Sequence, residues 1–244
     1  MQDNFLNLIN PNDMVLCQGG TYTMGFNESE AIGRDVDHKN EIPNHIVYLD
    51  DFYISKFLVT QELWVKVMKT NPSCFKDKPE SPLLPVEQIS WRDCQLFISK
   101  LNNLTLQFFR LPTEAEWEFA ARGGNLSKGY MYAGSNYIDE VCWYDDNSNC
   151  CTHPVGLKKP NELDIYDLNG NVWEWCNDWY ASYEVEAQNN PKGSYVGSYK
   201  ILRGAGWQGA KNQCRISTRN YDKPTGKRSN TGFRLVHPKP FVSK

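Results

Sequence analysis

The ten residues Tyr166-Asp167-Leu168-Asn169-Gly170-Asn171-Val172-Trp173-Glu174-Trp175 constrain the fold more than any other stretch of the chain. They set two carboxylates, Asp167 and Glu174, on either side of a Gly-centred turn, beside Trp173, Trp175 and Trp179. A core does not need that arrangement. Carboxylates flanking a tight turn can aim side-chain and backbone oxygens at one hard cation, and calcium takes roughly six to eight oxygens at about 2.3–2.6 Å. The same spacing fits an Asx-type turn beside an aromatic cluster, with both acids solvated. Spacing alone leaves both readings open.

A chain of 244 residues suffices for one large domain or two small ones. The net charge of −3 offers neither the clustered basic face of a nucleic-acid binder nor a polybasic membrane patch. No apolar run reaches the roughly 18 residues of a membrane span. Met1 to Pro11 carries no basic n-region and no long apolar h-region, so no signal peptide is read and a cytoplasmic location is expected. Nucleic acid and membrane are therefore excluded as partners, and the chain is expected to act as a monomer.

Eight tryptophans and thirteen tyrosines favour irregular segments pinned by large aromatics over a helical bundle. The eight cysteines include no CxxC pair, which argues against structural zinc, and most are expected to be free or buried thiols. The histidines His38, His45, His153 and His237 lie far apart and show no ligand spacing.

Three helices are announced by their start signals. Thr60 precedes an apolar stripe of Leu63, Trp64, Val67 and Met68, ended by Asn71-Pro72. Ser90, with an acid three residues on, opens a helix that buries Cys94, Phe97, Ile98 and Leu101 and closes at Asn102-Asn103. Thr113 and Glu116 form a fuller capping box, and Gly123-Gly124 stops that helix. Strands are expected at 20–25, 44–49, 52–54, 201–204 and 232–236. Residues 123–165 and 181–200 read as long loops, which in a compact domain are functional or tied down. These features describe one α+β domain with short, mostly antiparallel strands over residues 13–236, an N-terminal extension over 1–12 and a tail over 237–244.

Several motifs recur in order: Phe52-Tyr53-Ile54 with Trp64, Pro85-Val86 with Ser90-Trp91, and Arg110-Leu111-Pro112-Thr113-Glu114-Ala115-Glu116-Trp117-Glu118. His153-Pro154-Val155-Gly156, the Tyr166–Trp175 run, Arg203-Gly204-Ala205-Gly206-Trp207 and Gly232-Phe233-Arg234 follow. Together they resemble the formylglycine-generating enzyme family, the sulfatase-modifying factor domain, over nearly the whole chain. The resemblance implies a loop-rich fold akin to C-type lectins. It also implies a structural Ca²⁺ held by side-chain oxygens of Asp167 and Glu174 and by the carbonyls of Gly170 and Val172. A second family calcium site would fall at Asp139, Glu140, Asp145 and Asp146, where the match is poor and a solvated acidic loop is expected.

Active relatives oxidise a cysteine of a sulfatase peptide to formylglycine with O₂ and a copper(I) ion held by two cysteines, a soft pair suited to that cation. The family motif Gly-Gly-Ser-aromatic reads Gly204-Ala205-Gly206-Trp207 here, and Gly209 stands where the first cysteine belongs. Cys214 matches the second position at best, and a Gly supplies no ligand, so a Met, His or Cys from elsewhere would have to reach in. Copper is therefore not expected. The resemblance then implies a non-catalytic module that binds a protein or peptide, with a face formed by Trp207, Gln208, Lys211, Asn212, Gln213, Arg215, Arg219, Asn220 and Tyr221. Some silent members of this fold are variable proteins of diversity-generating retroelements, and residues 203–236 lie where their variable region would be. The competing expectation is the copper- and O₂-dependent oxidase, with Cys214 as its catalytic thiol.

Overall fold

The computed structural model describes residues 8–26 and 39–238. Helix α1 spans Gln61–Met68 and starts where the Thr60 hydroxyl accepts from the Leu63 amide. Helices α2 (Trp91–Thr105) and α3 (Glu114–Ala121) both begin in complete capping boxes, Ser90 with Asp93 and Thr113 with Glu116. Each box satisfies two of the amides that a helix start leaves unpaired, so these short helices begin at fixed residues. Helix α2 runs to Thr105, past the expected stop at Asn102-Asn103, and Leu106 ends it in a left-handed conformation. A fourth, single-turn helix, α4 (Ile138–Val141), lies in the segment expected to be loop.

Strands β1 (Met14–Cys17), β4 (Phe52–Ser55) and β12 (Val236–His237) form one antiparallel sheet, in the order β1-β4-β12. Strands β2 (Gly20–Met24), β3 (His45–Leu49) and β8 (Gln188–Asn189) form a second. A four-stranded sheet, ordered β10-β9-β7-β11, contains β7 (Trp173–Trp179), β9 (Lys200–Arg203), β10 (Arg219–Asp222) and β11 (Thr231–Gly232). A two-residue pair joins β5 (Cys142–Trp143) to β6 (Asn169–Gly170). Pairing is mostly antiparallel, with parallel pairs at β3–β8, β5–β6 and β7–β11.

The core has two parts. One, under α1 and α2, gathers Trp64, Phe97, Trp175 and Phe233; the other, around α3, gathers Phe52, Trp117, Phe119 and Ile201. Ile9 is buried in the first cluster, and His237 is a buried strand residue whose ring accepts from the Phe108 amide. The rest of the expected tail, 239–244, and His38 lie outside the described residues.

All eight cysteines are free thiols, and Cys17, Cys94, Cys142, Cys176 and Cys214 are buried. Among the described residues no helix is long and apolar enough to cross a membrane.

Candidate binding face and the Gly204–Trp207 turn

After β9 the chain turns at Gly204–Gly206, reaches Trp207, makes a 3-10 turn over Lys211–Cys214 and enters β10 at Arg219. Trp207 is half-buried: its indole N–H donates to the Ser229 carbonyl at 3.0 Å and its ring meets Phe75 edge-on at 5.8 Å. Gln208, Lys211, Asn212 and Gln213 are exposed around it. Farther along, Tyr221 is 42% exposed and packs against Tyr180 and Tyr199 at 4.2 and 5.1 Å. Asn220 is half-buried.

Two residues assigned to this face from sequence do not belong to it. Arg215 is 1% exposed and forks onto the Glu41 carboxylate at 2.7 and 2.8 Å. Arg219 is 6% exposed, forks onto Glu114 at 2.7 and 2.8 Å, and lies 3.8 Å from the Tyr183 ring centre. A guanidinium spent on a buried carboxylate has little left to offer a ligand. No local signal marks the Arg215 pair, because Glu41 lies 174 positions away. The face that remains is Trp207, Gln208, Lys211–Gln213, Asn220 and Tyr221.

The turn that would carry catalysis is closed. A Cβ at Gly206 would lie 2.9 Å from the Asn230 carbonyl oxygen and 3.3 Å from Trp173. A Cβ at Gly209 would lie 3.0 Å from the Gly206 oxygen and 3.2 Å from the Ala205 Cβ. The motif's serine and first cysteine are thus absent, and the backbone has packed into the space their side chains would need. Cys214 is fully buried, with its sulfur 3.5 Å from the Ala210 carbonyl. The thiol beside it is Cys142, 72 positions away in sequence and also fully buried.

The carboxylates expected to hold calcium both have protein partners. Both Glu174 oxygens accept from the Arg234 guanidinium, at 2.6 and 2.8 Å, in a pair with no solvent exposure. Asp167 accepts from the Gly156 amide at 2.8 Å and from Asn171 at 3.4 Å, and burial raises its pKa to about 6. A hard dication wants ionised oxygens with free lone pairs, whereas here Glu174 is paired with arginine and Asp167 accepts from an amide and an asparagine. The side-chain oxygens of Asp167 and Glu174 are spent on donors within the protein. The segment instead works through its asparagines: Asn171 clasps both the amide and the carbonyl of His153, at 3.1 and 3.0 Å. In the acidic loop, Asp139 accepts from Tyr144 and Asn147, and Glu140 pairs with Lys159.

A cleft of about 710 Å³ opens beside Arg219, with Asp178 and Glu114 lining it alongside Tyr183, Trp179 and the 188–195 segment. Asp178 accepts from the Glu114 amide at 3.0 Å. Burial, and then the Glu114 charge, push its pKa up to about 7. Glu114 itself is held low by Arg219 and Arg203, against the desolvation of its site. The long 181–200 loop was the only sign of this cleft in the sequence. A groove of similar size, about 730 Å³, runs beside the end of α2 under Leu106 and Phe108.

The fold and the motif order are shared with known proteins. A family model described as "Sulfatase-modifying factor enzyme 1-like domain" matches residues 6–239. The chain is 31% identical to a protein named chaperone protein LppX from Paenibacillus barcinonensis, over 93% of this chain and 90% of that one. It is 30% identical to the formylglycine-generating enzyme of Streptomyces coelicolor over 66% of this chain, an alignment that covers 55% of the enzyme's length. Among solved structures, Treponema denticola variable protein 1 superposes with a TM-score of 0.84 at 30% identity, covering 93% of this chain and 95% of that one. A family model that spans almost every residue, over a fold shared with these relatives, makes this chain a member of the sulfatase-modifying factor enzyme 1-like domain family.

Proposed function

We propose that the chain is a non-catalytic binding module that presents Trp207, Gln208, Lys211, Asn212, Gln213, Asn220 and Tyr221 to a protein or peptide ligand. The observation that carries this reading is the closed turn, in which backbone fills the room for side chains at both Gly206 and Gly209. The remaining motif thiol, Cys214, is buried, so a peptide cysteine has no route to it. Exposed amides and aromatics on a turn over a rigid scaffold suit recognition, since the scaffold holds their positions and solvent-facing side chains tolerate change. The likeness to a protein named as a variable protein supports the same reading, and extends it to 203–236 as a diversified segment.

The competing reading is the copper- and O₂-dependent oxidase, which keeps only Cys214 at a family position. Incubating the copper-loaded protein with a cysteine-containing sulfatase peptide separates the two. We expect no formylglycine by mass spectrometry, and its appearance would overturn the binding-module reading. Related genomic copies provide a second test. Substitutions should gather at Gln208, Lys211–Gln213, Asn220 and Tyr221 and spare the buried Arg215 and Arg219. An even spread of substitutions over the chain would remove the diversified-segment reading.

A further inference from the structure

Buried glutamates in this chain are met by arginines. Glu41 meets Arg215, Glu114 meets Arg203 and Arg219, Glu116 meets Arg110, Glu118 meets Arg122 and Arg203, and Glu174 meets Arg234. A buried carboxylate is costly unless a cation or donors compensate it, and these pairs do so. Asp178, near the end of β7, breaks the pattern. It is 4% exposed and makes no ion pair with any described residue. Its Oδ2 accepts from the Glu114 amide at 3.0 Å, and no described residue donates to Oδ1. Asp167 and Glu87 are buried without an ion pair too, but of the three Asp178 alone lines either of the two clefts described above.

The cations around Asp178 are engaged elsewhere. Arg203 and Arg219 are held by Glu114 and Glu118. The Lys200 ammonium donates to the Asn177 carbonyl at 2.7 Å and lies over the Trp91 and Trp179 rings, 4.2 and 3.8 Å from their centres. The 188–195 segment runs past the acid at very short range. A Cβ at Gly193 would lie 2.7 Å from the Asp178 Cβ and 2.8 Å from Oδ1, and Gly193 holds φ at +71°. A residue without a side chain is what lets the segment pass there and leave Asp178 on the wall of the cleft.

The one remaining oxygen selects the ligand. A guanidinium takes both oxygens of a carboxylate, as Arg215 does at Glu41 and Arg234 at Glu174. At Asp178 one oxygen is already spent on a backbone amide. A single open oxygen suits the compact ammonium of a primary amine, a point charge with three donors. Ser182 and Gln188 line the same cleft with a hydroxyl and an amide that can accept its other donors. Trp179, Tyr183 and Tyr195 line it as well and offer apolar surface to a methylene stem. Among the described residues no group of three acids, histidines or cysteines is placed to hold a metal ion, which leaves an organic cation as the occupant.

We propose that this cleft binds a primary ammonium, borne by a lysine side chain or a free alkylamine, with Asp178 as its counter-charge. The ammonium donates to Oδ1, the stem lies along Trp179 and Tyr183, and the Glu114 amide keeps Oδ2 in place. None of the residues assigned to the Trp207 face lines this cleft, so the inference does not rest on the binding-module reading.

The test uses the full chain with ¹⁵N-labelled tryptophans and assigned indole signals. Nα-acetyl-lysine methylamide represents the side-chain source and butylamine the free one. At least one of them should move the Trp179 signal along a saturating curve while Trp207 stays in place. The Nε-acetylated form of the lysine probe has the stem without the charge and should bind at least about tenfold more weakly. Asp178→Asn keeps an acceptor for the Glu114 amide and should weaken amine binding by about tenfold or more. Gly193→Ala leaves the acid intact and sets a methyl group against Oδ1, so it should give a similar loss and decides the matter if Asp178→Asn disturbs the fold. Failure of both amines to move Trp179, equal binding of the acetylated probe, or full binding by either variant would each overturn the proposal. Movement of Trp207 in place of Trp179 would do so as well.

Discussion

Glu174 and Arg234 meet as a two-pronged ion pair sealed from solvent, and the arginine spends its remaining donors on the Ser55, Lys56 and Tyr166 carbonyls. The pair closes the turn that flanking carboxylates alone would offer to a cation. Removing one partner strands the other charge in the core, which typically costs about 3–5 kcal/mol. Glu174→Ala should therefore lower the free energy of unfolding, read from a denaturant titration, by that amount. A chelator such as EDTA should leave the melting temperature of the parent unchanged, and a clear drop on chelation would restore the calcium reading.

Buried and exposed residues of the 207–221 segment should part ways in stability measurements. Arg215→Ala leaves Glu41 unpaired in the interior and should cost about 3–5 kcal/mol. Gln208→Ala and Lys211→Ala change solvent-facing side chains and should stay within about 0.5 kcal/mol of the parent. Equal losses at both kinds of position, read by urea unfolding, would contradict the division of the face.

Asp178 gives stability a pH dependence of unusual sign. Its pKa is about 7 in the folded state against an ordinary 3.8, so the folded state keeps a proton that the unfolded chain gives up. The contribution is full below about pH 4 and is lost as pH rises through 7. Asp178→Asn keeps an acceptor for the Glu114 amide and carries no charge. It should stabilise the protein at pH 8 by an amount of order 2–4 kcal/mol and make little difference at pH 4. A gain of equal size at both pH values would show that the effect is not ionisation.

Restoring the missing thiol should not restore the chemistry. Gly209→Cys pushes a Cβ to 3.0 Å from the Gly206 oxygen, so the turn must shift, and overpacking of this kind costs about 1–3 kcal/mol. The variant should melt lower than the parent and still produce no formylglycine from a cysteine peptide. Turnover by this variant would mean the turn opens readily.

Helix starts were legible because a cap is written in four consecutive residues, and Thr60, Ser90 and Thr113 each cap as their side chains imply. Strand β7 was not legible. Its Trp173–Trp179 run is buried at nearly every position, so it lacks the alternation that marks a half-exposed strand. Helix α3 hid its nature in the opposite way. Glu114, Glu116 and Glu118 look like a solvated face, yet all are buried: Arg203 and Arg219 arrive from β9 and β10, while Arg110 just before the helix and Arg122 at its C-cap complete the pairing. The surface turn at 207–213 was readable from motif order. The Cys142–Cys214 neighbourhood was not, since nothing local in either segment points to the other.

The buried charge pairs also set a condition on how the chain assembles. Arg215 bonds to Glu41 across 174 positions, Arg219 to the Asn40 carbonyl across 179, and Arg234 to the Ser55 carbonyl across 179. No short-range contact can stand in for these, so loops of 174 to 179 residues must close before the arginines lose their water. Closure entropy grows only slowly with loop length, but contacts this distant reward it late, which places the folding of such a topology among slow, non-local folders. A chain that lost the segment around Asn40–Glu41 would leave Arg215 without its carboxylate, and one that lost Arg234 would leave Glu174 without its cation.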